Sequence, residues 1–204
     1  DDLSNKQARY SRQYDVIKDC NIIMDNIEEK ESRLAKDVLG TAYAMRGICY
    51  YNLLRDFCEP PVGNMHGLGV PLVIRFDMEE KPLRSTIEKT FSRAEADMLA
   101  AIGYQIEDPM FRFNTDIMEG YLARLYFWVG DWTKAAEYAG KVLGRHPLIS
   151  GNAYTEMLAS EITPKGNILI KGGRISDSSS SMQNSGVKSN LEGRPVSKRF
   201  VDTF

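Results

Sequence analysis

One segment constrains this chain more than any other. Between Ser32 and Phe57 apolar side chains recur at spacings of three and four with no proline to interrupt them: Leu34, Val38, Ala42, Met45, Cys49 and Leu53 make one stripe, and Tyr43, Ile48, Tyr50, Tyr51 and Leu54 widen it. A helix that is apolar on more than one side has to be covered on more than one side. It is therefore expected to be the central element, with Arg46, Asn52 and Arg55 as its few polar interruptions.

The rest of the chain reads as partners for that helix. Tyr10, Tyr14, Ile17, Met24 and Ile27, with Asn21 in the remaining seam position, mark one face of a helix over 10–27 that the polar run Glu28 to Glu31 ends. After Pro60-Pro61 a loop carrying Gly63, Gly67, Gly69, Pro71 and Pro82 runs to Arg84, with a short extended piece expected over Val70 to Phe76. Ser85 or Thr86 then caps another helix, Ser85-x-x-Glu88 fitting a capping box, with Phe91, Ala94, Met98, Ala101 and Ile102 as its buried face. From Asn114 or Thr115 a helical hairpin follows. Leu122-Ala123-x-x-Tyr126, Ala135 and Pro147 fall on five positions of the tetratricopeptide template, in which small residues let two helices approach closely. Glu119 and Ala139 depart from it, and no clean second copy stands at a 34-residue period. A short helix over 153–159, a strand at Ile168 to Ile170 and a mobile loop at 171–195 complete the expectation.

The fold expected is all-α: a superhelical array of helical hairpins, tetratricopeptide-like, with long Pro/Gly loops (58–84 the longest), in a single domain over 1–204.

Composition narrows the function. With 26 basic against 28 acidic residues in 204 the chain lacks the basic excess of a nucleic-acid binder. No apolar stretch reaches the roughly 18 residues of a membrane span, since Arg124 breaks the best window, and the polar opening DDLSNKQARY places no targeting segment inside this numbering. Cys20, Cys49 and Cys58 show no metal-ligand spacing, and Cys49 and Cys58 stand roughly 13 Å apart along one helix, too far for a disulfide. Buried apolar thiols are expected at Cys20 and Cys49, with Cys58 nearer the surface. His66 and His146 have no nucleophile or paired carboxylate at a motif spacing, and Glu28-Glu29 and Glu79-Glu80 diverge as neighbours do. No catalytic residue, metal or cofactor is expected.

The order of several short patterns carries more than any one of them. Tyr14-Asp15-x-Ile17 with Cys20-Asn21 is followed by Ala44-Met45-Arg46-Gly47-x-x-Tyr50-Tyr51-x-Leu53 and Asp56-Phe57. Then come Gly69-Val70-Pro71-Leu72, Arg84-Ser85-Thr86 with Glu88, Ala96-Asp97-Met98 with Ala100-Ala101, the hairpin Ala123 to Val142, and Pro195-Val196-Ser197 with Phe200-Val201-Asp202. This sequence resembles the SusD/RagB family. It departs where Cys58-Glu59 replaces the glycine of the family's aromatic-glycine pair after the central helix and where Gly47 replaces alanine, and it is shorter than family members at both ends.

The resemblance implies a non-catalytic, lipid-anchored protein on the cell surface of the outer membrane. Such a protein binds a glycan or other nutrient and works with a SusC-like TonB-dependent transporter, its membrane attachment coming only from an N-terminal lipid outside this sequence. Sugar capture needs aromatic faces and polar groups in loops. The loop residues Asn64, His66, Phe76, Phe111, Arg112 and Phe113 are the candidates. Arg46 reads instead as a buried structural arginine with Asp97 as its partner. Trp128 reads as core, and Trp132 as part of the packed hairpin. The alternative reading is a tetratricopeptide-type scaffold that binds a peptide or protein in a helical groove.

Overall fold

A computed structural model of the protein describes residues 2–77, 79–107, 113–148 and 150–153. The chain divides into two compact units, Asp1–Ile170 and Lys171–Phe204, and every described residue belongs to the first. Most of the expected helix at 153–159, the strand at 168–170, the loop at 171–195 and the Pro195 to Asp202 pattern lie outside the described residues.

Five helices carry the described architecture: α1 (Asp2–Asn26), α2 (Arg33–Phe57), α3 (Ile87–Gly103), α4 (Thr115–Val129) and α5 (Trp132–Arg145). A two-stranded antiparallel ribbon, β1 (Leu68–Pro71) with β2 (Arg84–Thr86), is set between α2 and α3 in the chain. The all-α expectation therefore holds, with α2 central as its apolar breadth requires. It packs against α1, α3, α4 and β1, and Tyr50, Leu53 and Leu54 are wholly buried together with Ile17, Val70, Ile87, Met98, Met118, Leu122 and Leu125.

Side-chain caps start the helices where the sequence signals them. Ser32 Oγ accepts from the Ala35 N–H at 3.2 Å, Thr86 Oγ1 from Lys89 at 3.2 Å, Asn114 Oδ1 from Ile117 at 3.0 Å and Asp131 Oδ1 from Lys134 at 3.1 Å. Gly130, at φ +83°, ends α4 in the left-handed conformation that a side chain disfavours. Gly69 is needed for a different reason: a Cβ there would lie 2.2 Å from the Thr86 carbonyl oxygen across the ribbon.

Some local expectations are corrected. Helix α1 begins at Asp2, two turns before Tyr10, because the polar segment Asp2 to Arg9 has good helix formers although it has no apolar face. Leu34 and Met45 leave the stripe of α2 for solvent, 62% and 36% exposed, since the covered sides of that helix are those facing α1, α3 and α4. Ser85 makes no capping box; its hydroxyl donates to the Val70 carbonyl at 2.7 Å and so ties β2 to β1. The extended piece is shorter than Val70 to Phe76, because regular pairing with β2 stops at Pro71.

Candidate functional site

The segment after β1 has no strand to pair with, so its backbone groups must find partners elsewhere. Four side chains from α1 and α2 supply them. Tyr14 donates its hydroxyl to the Pro71 carbonyl at 2.8 Å, and Asn21 Nδ2 donates to the Val73 carbonyl at 3.0 Å. The Tyr50 hydroxyl accepts from the Val73 N–H at 2.8 Å and donates to its carbonyl at 2.9 Å. Arg46 reaches the Ile74 carbonyl at 3.4 Å.

Arg46 is itself the hub. Its Nε and Nη2 each bond Asp97 of α3 at 2.8 Å, a bidentate pair, while Nη1 bonds Asn21 Oδ1 at 2.6 Å. Arg46 is 4% exposed and Asp97 and Asn21 are wholly buried, so each needs every one of these bonds. Arg93, one turn before Asp97, adds a second guanidinium at 2.7 Å. Burial disfavours the charged Arg46, but the Asp97 hydrogen bonds and charge outweigh it and keep its pKa above the usual arginine value. Burial pushes the Tyr50 hydroxyl up to about 12, so it stays protonated and able to donate. The expected structural arginine with Asp97 as partner is thus what the fold contains.

The clamp ends in an exposed tip. Ile74 is 56% and Phe76 46% exposed. Arg75 has its guanidinium 3.7 Å from Asp77 and 3.5 Å from Glu80, and Asp77 Oδ1 accepts from the Glu79 N–H at 2.9 Å, which turns the chain back. An aromatic ring, a guanidinium and carboxylates therefore stand outward immediately after a stretch whose backbone is fixed from beneath at Pro71, Val73 and Ile74.

Among the described residues, no bond gathers the other candidates there. Asn64 is engaged within its own loop, donating to Glu59 at 2.9 Å and packed against Gly67. His66 points into solvent, its nearest charged partner Glu88 at 3.7 Å. Phe113 is half-buried against the main core. Phe111 and Arg112 lie outside the described residues.

A second surface escapes sequence reasoning. Between α4, α5 and the C-terminal end of α2 lies a groove of about 640 Å³, floored by Ala123, Ala135, Ala136 and Ala139 and flanked by Tyr51, Arg55, Arg124, Phe127, Trp128 and Trp132. Trp128 is partly buried, as its core reading required, but its Nε1 is covered and without a hydrogen-bond partner. Trp132 stands at the rim, 58% exposed, edge to face with the 62% exposed Phe127 at 5.1 Å. The signal available was the row of alanines on α5, which leaves room beside the helix. Among the described residues no cluster of His, Cys, Asp or Glu could hold a metal, and no helix is long and apolar enough to cross a membrane.

Comparison with known proteins agrees with this geometry. A SusD superfamily protein from Bacteroides thetaiotaomicron superposes with a TM-score of 0.63 at 26% identity, over 71% of this chain and 34% of that one. A SusD-like carbohydrate binding protein from Bacteroides vulgatus gives 0.64 at 20% identity, over 78% and 35%. A laminarin binding SusD-like protein gives 0.54 at 20% identity, over 72% and 32%. The chain thus spans about a third of the length of these structures, and the latter two speak for the fold alone. No curated protein matches the chain. Residues 2–127 match the model of a SusD-like family described as starch-binding and associating with the outer membrane; that stretch holds α1 to α3, the Arg46 hub and most of α4, and the chain belongs to this family.

Proposed function

We propose that the chain forms the helical scaffold of a non-catalytic, cell-surface nutrient-binding protein that captures a glycan and works with a SusC-like TonB-dependent transporter, anchored to the outer membrane by an N-terminal lipid. The observation that carries this reading is the clamped segment 71–77. Its backbone is fixed at Pro71, Val73 and Ile74 by Tyr14, Asn21, Tyr50 and Arg46, and Arg75 and Phe76 follow directly, presented to solvent.

A sugar is bound well by such a combination. The aromatic face covers the C–H face of a pyranose, and charged donors and acceptors meet its hydroxyls. Fixing the backbone beforehand reduces the ordering cost that binding would otherwise incur. Asn64 and His66 on the 58–67 loop and Phe111, Arg112 and Phe113 before α4 are the secondary positions of this reading. The family's starch-binding description and the name of the laminarin binding relative support a glucan as the ligand class.

Calorimetric titration with starch-type and laminarin-type oligosaccharides tests it. Binding is expected for the intact chain, with Phe76→Ala weakening it by about tenfold and leaving the melting curve unchanged, because Phe76 is half exposed. Equal affinity in Phe76→Ala, or no heat with either glucan, would remove the site from this segment. The scaffold alternative draws on the apolar groove beside α5.

A further inference from the structure

The charges at the centre of the molecule do not balance. Two guanidinia, Arg46 of α2 and Arg93 of α3, meet a single carboxylate, that of Asp97. Arg46 alone engages both of its oxygens, Nε on Oδ2 and Nη2 on Oδ1 at 2.8 Å each, and Arg93 Nη2 then comes to the same Oδ1 at 2.7 Å. Arg93 is the surplus cation.

The surroundings do not supply the missing negative charge. Burial pushes the Tyr50 hydroxyl up to about 12 and the Cys20 thiol up to about 11, so both groups stay neutral beside the hub. Asn21 contributes a neutral amide, and Tyr43 a ring face 5.4 Å from the Arg46 guanidinium. Among the described residues no second carboxylate pairs with either arginine. The neighbours of Arg93 at three and four positions along α3 are Lys89, Thr90, Ala96 and Asp97, which add one more cation and no further anion.

Arg93 is also where the hub meets solvent. Its side chain is 26% exposed, against 5% for Arg46 and none for Asp97. Its Nε is nevertheless covered and has no hydrogen-bond partner, so part of its donor capacity is desolvated and unused. A planar carboxylate suits such a cation better than a halide does, because its two oxygens accept two N–H groups of the guanidinium fork at once. Exposed Lys89, one turn earlier on the same helix, adds attraction for the approaching anion.

We propose that Arg93 is a carboxylate-recognition residue, the surplus guanidinium of the buried hub pairing with the acid group of a ligand that approaches α3 from solvent. A small free acid and a uronic acid sugar both carry that group. The site is separate from the glycan site proposed on segment 71–77, and loss of binding at Phe76 leaves it standing.

Thermal unfolding of the full chain in matched salts at one pH tests it. Sodium acetate at about 100 mM should raise the melting temperature by about 3 °C over sodium chloride at the same ionic strength. Sodium glucuronate in a third arm identifies the source: a gain larger than that in acetate assigns the site to a sugar acid, and an equal gain assigns it to any small carboxylate. Arg93→Gln removes the surplus charge and leaves the Arg46–Asp97 pair intact. This variant should melt in chloride no lower than the native chain and lose the gain in both organic salts. Equal melting of the native chain in all three salts overturns the proposal, as does an undiminished gain in Arg93→Gln. A variant that melts well below the native chain in chloride would also overturn it, because Arg93 would then be a partner that Asp97 requires and not a surplus cation.

Discussion

The block built from α1, α2, α3 and the clamped segment differs from the α4–α5 hairpin in how each closes its surface. In the first, a charged hub lies at the centre of the packing, and Arg46, Asp97 and Asn21 satisfy one another and the loop above them. In the second, the ion pairs lie toward the surface, joining Arg145 and His146 to Asp116 and Arg145 to Glu119, and one apolar side stays open. A buried polar hub specifies one arrangement because any alternative leaves a charge unpaired. An open alanine-floored face specifies only that something must be added.

Substitutions can break this contrast at graded cost. Asp97→Ala leaves the Arg46 guanidinium buried without its bidentate partner and should cost about 3–5 kcal/mol in denaturant unfolding; Arg46→Ala should likewise lower the melting temperature by several degrees, roughly 2–4 °C per kcal/mol for a chain of this size. A loss under about 1 kcal/mol for Asp97→Ala, the size expected of a surface pair, would deny the hub its role.

Tyr50→Phe is the next in size. It deprives the Val73 N–H of its acceptor while Asn21 still serves the Val73 carbonyl, and should cost about 1–3 kcal/mol with faster amide exchange confined to 71–77. Faster exchange throughout α2 would mean that Tyr50 holds the core and not the loop.

Acid should sharpen the contrast from the other side. Burial opposes ionisation of Asp116, but the His146 hydrogen bond and the Arg145 charge outweigh it and hold its carboxyl below the usual carboxylate range. A depressed folded pKa contributes stability that is fully present above the unfolded value near 4 and is lost as pH falls through the folded one. Exchange at the end of α5 should therefore quicken below about pH 4. Asp116→Asn should abolish that dependence while costing less than Tyr50→Phe, and an unchanged acid response would contradict it.

The smallest effect is chemical. Burial pushes the Cys20 thiol up to about 11 and that of Cys49 up to about 12, whereas Cys58 is only partly buried and shifted upward less. Iodoacetamide at pH 8 should modify Cys58 first, by about an order of magnitude. Cys49 reacting as fast would show that the α1–α3 block opens readily.

The fold was legible where packing follows from period. The breadth of α2 announced its burial, the caps at Ser32, Thr86 and Asn114 fell where side-chain oxygens preceded apolar runs, and Ala123 with Ala135 announced the hairpin. Tyr138 stacks on Tyr126 at 5.5 Å, so an aromatic beside Ala139 does fill the hairpin. The Arg46–Asp97 pair could be suspected because an arginine inside an apolar stripe needs a partner. The clamp on Val73 could not, since its partners are backbone groups some 23 and 52 residues away from Tyr50 and Asn21 and carry no side-chain signature. Of the loop candidates, only Phe76 stands on the clamped segment; Asn64 is spent on its own turn, which sequence alone does not show. Trp132 reads as packed because it stands at the turn of the helix pair, yet it is exposed at the rim of the alanine-floored groove.

The most direct test of the account is amide exchange on the full chain with and without a saturating glucan oligosaccharide. The account predicts slowed exchange concentrated in 71–77 and its anchors on α1 and α2, with the α4–α5 hairpin unchanged. Protection that appears instead around Arg124, Phe127 and Trp132, with none at Val73, would place the ligand in the groove and contradict it.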